Sequence, residues 1–416
     1  MLGKRSICAA AALLCLFGAP SLRAETDRER ADRYLITAQQ GDAEAQFQLG
    51  LCYYKGSGVK RDLKQAVQWW RKAAEQGHVK AQFNLGLCFR DGRGTAQDHE
   101  QAAGWFRKAA EQGHVKAQVN LGLCCLNGEG VPKDHKQAIG WFRKAADRGN
   151  TDAQFHLGMC YLKGNGVPKN HRLAISWFGK AANLGHPAAQ YRLGRCHFLG
   201  IGVNKDYTQA VYWYRKAAAR GNADAQCKLG LCYENGDGVD KDHKQAAYWY
   251  RKAAAKGHAD AQFFLGWCYE RGFGLAKDPN EAAYWYFKAA NQGHGAAQFF
   301  LSICYEKGIG VKQDMDQALT WLKSSAERGC ASAQYFLGKR YYKGIGVDKD
   351  FVLAVRWYRK AAEQGDDDAQ LEMGFCYAFG HGVQEDRRQA VYWFRKSAAK
   401  GNKVAKEALH RLGESI

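Results

Sequence analysis

Cysteine is the residue whose type and spacing first suggest chemistry in this sequence. It recurs every 36 residues, at Cys52, Cys88, Cys124, Cys160, Cys196, Cys232, Cys268, Cys304 and Cys376, with Arg340 in the ninth place. A thiolate can bridge, bind metal or attack an electrophile. Equivalent cysteines on stacked helices would stand about 8–10 Å apart, beyond the roughly 7 Å limit for a disulfide. Cys227 and Cys232 point in different directions around one helix, and Cys125 and Cys330 are single additions. Free buried thiols serving as small apolar side chains are expected.

The other reactive types are similarly absorbed by the pattern. His78, His114, His186, His258 and His294 share one repeat position, where Asn or Asp stands elsewhere. That suits a polar residue opening a helix. Neither C-x-x-C nor H-E-x-x-H occurs, so no metal site is expected. S-x-x-K occurs at Ser57 to Lys60 and at Ser397 to Lys400, without the companion motifs of penicillin-recognising enzymes. The repeated G-x-G lacks the strand-then-helix setting of a nucleotide loop. No catalytic constellation is assembled and no cofactor is implied, so a binding role is expected rather than an enzyme.

The elements that carry these residues repeat strictly. With Gly41 as position 1, glycine returns at 77, 113, 149, 185, 221, 257, 293, 329, 365 and 401. Ten units over 41–400 follow a leader (1–24) and an N-terminal capping helix (25–40), and a C-terminal capping helix closes the chain (401–416). Such a period predicts an all-α solenoid of 36-residue helix–turn–helix repeats, each unit burying its apolar face on its neighbours.

Helix A spans positions 3–15, and its small or apolar positions 5, 9 and 12 (Ala45, Leu49, Cys52) share one face. The glycine at position 10, Gly50 and its equivalents in nine of ten units, predicts a close helix–helix approach. A G-x-G turn ends the helix. Asp, or Asn170 in the fourth unit, then caps helix B, and Asp62-Leu63-Lys64-Gln65 reads as a capping box. Pro279 suits a first helical turn. Ala66, Trp69 and Ala73 predict the packing stripe of helix B. The tryptophan returns in all ten units (Trp69, Trp105, Trp141, Trp177, Trp213, Trp249, Trp285, Trp321, Trp357, Trp393) and is read as core rather than a carbohydrate platform.

The recurring string is clearest in Ala225-Gln226, Leu229-Gly230, Tyr233, Gly236-Asp237-Gly238-Val239, Asp242, Ala246, Trp249, Lys252-Ala253-Ala254 and Gly257. It resembles the Sel-1-like repeat, a relative of the tetratricopeptide repeat, over residues 25–416. The resemblance implies a right-handed superhelix with scaffold or adaptor roles and no fixed ligand. Secreted cysteine-rich members of that family carry two bridged cysteines per repeat and are linked to β-lactam binding or hydrolysis. One cysteine per unit departs from them.

Lys4 and Arg5, the apolar run from Ile7 to Ala19 and the closing Ala24 read as a secretory signal peptide, so an exported, periplasmic or secreted protein is expected. The formal charge is +20, and removing the leader's three cations leaves +17. The basic residues recur in every unit as a distributed surface, which with export argues against nucleic acid. No run after the leader is long enough to span a membrane.

Recognition is then expected where equivalent positions differ. Positions 8 and 11 of helix A carry Gln48, Asn84 and Asn120 early, but Phe264, Phe300 and Phe336 at position 8 of units seven to nine. Trp267 and Phe375 stand at position 11, with Arg195, Arg271, Lys307, Lys339 and Lys343 among or near them. This predicts an aromatic–basic groove on the concave face over roughly 260–380, suited to a protein or peptide partner of acidic character. Cell-wall glycan or a β-lactam-like ligand is the alternative, with weak hydrolysis as a third.

Overall fold

The computed structural model describes residues 25–414; the expected leader lies outside them. The described residues form 22 helices, joined by turns. They divide into two compact units, which end and begin at Leu184 and Gly185. In the first, α1 (Asp27–Gln39) precedes A helices α2 (Ala43–Lys55), α4 (Val79–Asp91), α6 (Val115–Asn127) and α8 (Thr151–Lys163). Its B helices are α3 (Leu63–Glu75), α5 (His99–Glu111), α7 (His135–Ala146) and α9 (His171–Asn183).

The second unit has A helices α10 (Pro187–Leu199), α12 (Ala223–Asn235), α14 (Ala259–Arg271), α16 (Gly295–Lys307), α18 (Ala331–Lys343) and α20 (Asp367–Phe379). They alternate with B helices α11 (Tyr207–Ala219), α13 (His243–Ala254), α15 (Pro279–Asn291), α17 (Met315–Glu327), α19 (Phe351–Glu363) and α21 (Arg387–Ala399). Helix α22 (Lys403–Arg411) closes the chain. Within each unit every helix packs on its neighbours in sequence, the all-α solenoid arrangement.

The helix ends follow from residue type. Gly56 ends α2 in the left-handed conformation, its N–H donating to Cys52 O. Asp62 caps α3 by accepting from the N–H groups of Lys64 and Gln65. The expected return bond from Gln65 is not part of that cap; the full capping box forms at α1, between Thr26 and Glu29. His78 and its equivalents open A helices as expected, Nδ1 of His78 accepting from Ala81 N at 3.1 Å.

The core differs from the tryptophan stripe expected. Trp105, Trp213 and Trp393 are buried, but the other seven are only half-buried. The fully enclosed ring is one residue later, at Trp70, Phe106, Phe142, Phe178, Tyr214, Tyr250, Tyr286, Tyr358 and Phe394. That ring lies flat on the position-10 glycine of the preceding A helix. A Cβ on Gly122 would stand 2.6 Å from Phe142 Cε1, so only glycine lets the ring in. The preceding tryptophan instead lies over the joint between units, as Trp285 does on the α13–α14 core. In units one to four and nine the lysine three residues on covers its face, Lys72 Nζ lying 4.2 Å from the Trp69 ring centroid.

A buried amide ladder satisfies the ends of the B helices. Gln82 Nε2 donates to Ala74 O at 3.1 Å, and Gln334 Nε2 to Ala326 O at 3.0 Å. Where position 36 is also glutamine it completes the group, as Gln112 Nε2 does on Gln82 Oε1 at 2.8 Å. The twelve described cysteines are free, ten of them buried. Burial pushes the Cys88 thiol up to about 11 and the Cys268 thiol up to about 12, the inert behaviour expected of small apolar side chains. The two S-x-x-K serines are engaged structurally: Ser57 Oγ donates to Asp27 Oδ2 and Ser397 Oγ to Asp367 O, both at 2.9 Å.

Candidate functional site

The residues singled out on the A helices fall into two groups and an outlier. On α14 and α16, Phe300 meets Trp267 edge-on at 5.4 Å between centroids and Phe263 at 5.7 Å. Tyr286 of the enclosed ring series backs Phe300 at 5.4 Å. Phe264 stacks on Tyr250 at 5.1 Å and touches Phe263. Arg271 lies over Trp267, its guanidinium carbon 4.5 Å from the ring. Phe264, Trp267, Arg271 and Phe300 therefore form one aromatic cluster with a cation on its edge.

The second group lies between α16, α17 and α18. Phe336 is 43% exposed and contacts Phe299 at 5.5 Å. With Lys307 and Lys339 it lines a cavity of about 250 Å³ floored by Ser302, Ile303 and Leu322. Phe375 stands apart, stacked with Phe379 at 6.1 Å and set edge-on to Phe394 at 5.2 Å. Phe263 and Phe299, which were not singled out, link the rings from α14 to α18, and the series changes character on α20.

The electrostatics there also change. Glu372 occupies position 8 of α20, where the three preceding units have phenylalanine. Burial pushes its carboxyl above the ordinary range, against the opposing pull of Lys339 and Lys343. Part of the positive charge of those two lysines is accordingly met within the chain.

The cavity lies where the repeat departs from its pattern. Nine units pair the position-10 glycine with a ring; the eighth pairs Ser302 with Leu322. Ser302 Oγ turns back to donate to Phe299 O at 2.7 Å, and both residues line the cavity; a cavity of about 220 Å³ stands at the equivalent place between the first two repeats, beside Trp70 and Cys88. The next unit departs as well: Arg340 stands where the others have cysteine, and only 6% of it is exposed. Its Nη2 is 3.0 Å from Glu306 Oε1, and its Nη1 donates to Ile345 O at 3.4 Å.

Two neighbouring features accommodate the arginine. Glu234 and Glu270, at the position of Glu306, accept from Tyr250 and Tyr286 of their own units. Leu322 offers no hydroxyl, so Glu306 turns to Arg340. The turn also shifts. A Cβ on Gly310 would meet Pro279 O, backbone of the preceding B helix, at 1.9 Å. At Gly346 the nearest such atom is Arg340 Nη1 at 3.5 Å, so guanidinium replaces backbone beneath that turn.

Arg340 was noted in the sequence only as the break in the cysteine series, and Ser302, Glu306 and Leu322 were not singled out. The signal was present: three departures from the repeat, all within units eight and nine. Their convergence needed the contacts between α16, α17 and α18.

The Sel1 repeat family description matches ten times, at 43–78, 79–114, 115–150, 151–186, 187–222, 223–258, 259–294, 295–330, 331–366 and 367–402. A solved protective antigen present in uropathogenic Escherichia coli strains, displaying an SLR fold, is 37% identical with a TM-score of 0.76; the match covers 92% of this chain and 84% of that one. A Sel1 repeat protein from Oxalobacter formigenes is 36% identical with a TM-score of 0.58, covering 74% and 89%. DAP3-binding cell death enhancer 1 of Mus musculus is 45% identical over 49 residues, 12% of this chain. The chain spans about a tenth of the length of the curated relatives it matches.

Proposed function

The chain belongs to the Sel1-repeat family, and from that premise we propose that it is an exported scaffold that holds an acidic protein or peptide segment along the A-helix face of α14, α16 and α18. Sel1-repeat solenoids serve in general as protein-interaction scaffolds. The observation that carries the finer reading is the series of rings from Phe264 and Trp267 through Phe300 to Phe336, linked by Phe263 and Phe299 and accompanied by Arg271, Lys307 and Lys339, with Lys343 on the same helix as Lys339. Aromatic side chains with arginine supply the anchors of most interfaces, and cations at the rim select and steer an acidic partner. Export rests on the basic start, the apolar run and Ala24. The description of the Escherichia coli relative as a protective antigen is in keeping with it.

The test is affinity capture from the native envelope and medium. The bait is the chain from residue 25 onward, beside a Trp267→Ser, Phe336→Ser variant shown by circular dichroism to be folded. A protein retained by the parent and lost by the variant supports the scaffold reading. Equal retention by both, or retention of cell-wall polymer alone, refutes it. An N-terminal sequence beginning at Glu25 on the protein recovered from cells supports export; an intact Met1 in all compartments refutes it.

A further inference from the structure

The eighth and ninth units break the repeat in three places that meet around one cavity. The ring of helix B is replaced by Leu322, the glycine beneath it by Ser302, and the cysteine of the next A helix by Arg340. A cavity of similar size at the equivalent place between the first two repeats is lined by Cys88 and Asn84. Here a buried guanidinium takes the place of that cysteine, and the mouth opens beside the half-exposed Phe336. The two bonds of Arg340, to Glu306 and to Ile345 O, engage two of the five N–H donors a guanidinium carries.

We propose that this cavity is an anchor pocket for one large apolar or aromatic side chain of the bound segment, read together with a carboxylate next to it in that segment. The proposal rests on the scaffold reading above and names what the partner must present. Its volume of about 250 Å³ admits a phenylalanine-sized side chain. Of the charged lining, Arg340 is paired with Glu306 and Lys339 is partly met by Glu372, which leaves Lys307 and the remaining charge of Lys339 to meet the incoming acid. Arg340 is fixed by its buried setting, so little side-chain entropy is lost when it binds. Ser302 and the apolar walls take the side chain; the lysines at the mouth take the carboxylate.

The repeat itself supplies the control. The double substitution Ser302→Gly, Leu322→Phe recreates the pair found in units two, three, four and ten, replacing two residues of the cavity lining by a pair the fold already accommodates. The probe is a fluorescein-labelled peptide, Gly-Ser-Asp-Phe-Asp-Ser-Gly, read by anisotropy at low salt. Its companions replace the phenylalanine by alanine or both aspartates by asparagine.

The parent is expected to bind the first peptide at least tenfold more tightly than either companion. The double variant, with an unchanged melting temperature, is expected to lose at least tenfold. Equal affinity of parent and double variant, equal affinity for the alanine peptide, or no binding of the first peptide would each overturn the pocket. Trp267→Ser separates the two readings. If it abolishes peptide binding and the double variant does not, the face stands and the pocket falls; if neither variant changes binding, both fall.

Discussion

Arg340 and Glu306 pair across two repeats, Nη2 to Oε1 at 3.0 Å, with the arginine side chain 7% exposed and the glutamate 43%. The asymmetry has a measurable consequence. Glu306→Ala leaves a buried cation without its charged partner and should destabilise the chain by about 1–3 kcal/mol, below the roughly 3–5 kcal/mol for breaking a fully buried pair, because Glu306 is half in solvent. Arg340→Cys restores the residue of the other units and should cost under about 1 kcal/mol. Urea unfolding of both variants checks the difference in sign and size.

The glycine–ring pair sets the tolerance of the A helices. Gly122→Ala forces a methyl to within 2.6 Å of Phe142 and should cost about 1–3 kcal/mol, the usual penalty of overpacking, despite the better helix propensity of alanine. Adding Phe142→Leu should recover part of that loss, because unit eight already combines a larger residue with leucine. A double-mutant cycle by thermal unfolding reads the coupling.

The amide ladder suggests a stabilising change. Gln154 Oε1 is buried without a hydrogen-bond partner, and position 36 of its unit is the exposed Leu184. In the ninth unit the equivalent Gln364 donates to Gln334 Oε1 at 2.7 Å. Leu184→Gln should supply that donor and stabilise the first unit by about 1 kcal/mol, the net worth of one hydrogen bond. An unchanged or lower melting temperature would contradict it.

Acid should weaken the histidine caps. His114 and His294 accept the N–H groups of Ala117 and Ala297 through Nδ1, which requires the neutral ring. Burial holds both below the ordinary 6.5; Lys80 and Lys116 add to it at His114, and Asp260 partly opposes it at His294. A folded value below the unfolded one means the folded chain binds fewer protons. The stabilisation is therefore present above pH 6.5 and lost as pH falls through the folded value. His114→Asn, the cap already used at Asn150, should remove its share of that loss, read as a smaller fall of the melting temperature between neutral and acid pH.

Much of this was legible in the residues. Position 1 glycine fixed the register, and helices expected at positions 3–15 begin and end there, as Ala43–Lys55 does. Side-chain identity was a poorer guide to depth. Tryptophan returns in every unit, yet the enclosed residue beside it varies among Trp70, Phe106, Tyr250 and Leu322. Adjacent positions share one period, so spacing alone cannot say which faces the glycine of another helix. The aromatic stripe was readable from variation at positions 8 and 11. The lining of the cavity was not, because Ser302, Leu322 and Arg340 come from three helices that meet only in the fold.

The central claim is that a protein partner occupies the stripe ending at Phe336. The most direct measurement places a photo-crosslinking amino acid at Phe336, and separately at Tyr248 on a B helix, two sites of similar exposure at 43% and 47%. Irradiation in the native cells should yield a discrete protein adduct from position 336 and none from 248. Adducts from 248 alone, or equal adducts from both, would contradict the account.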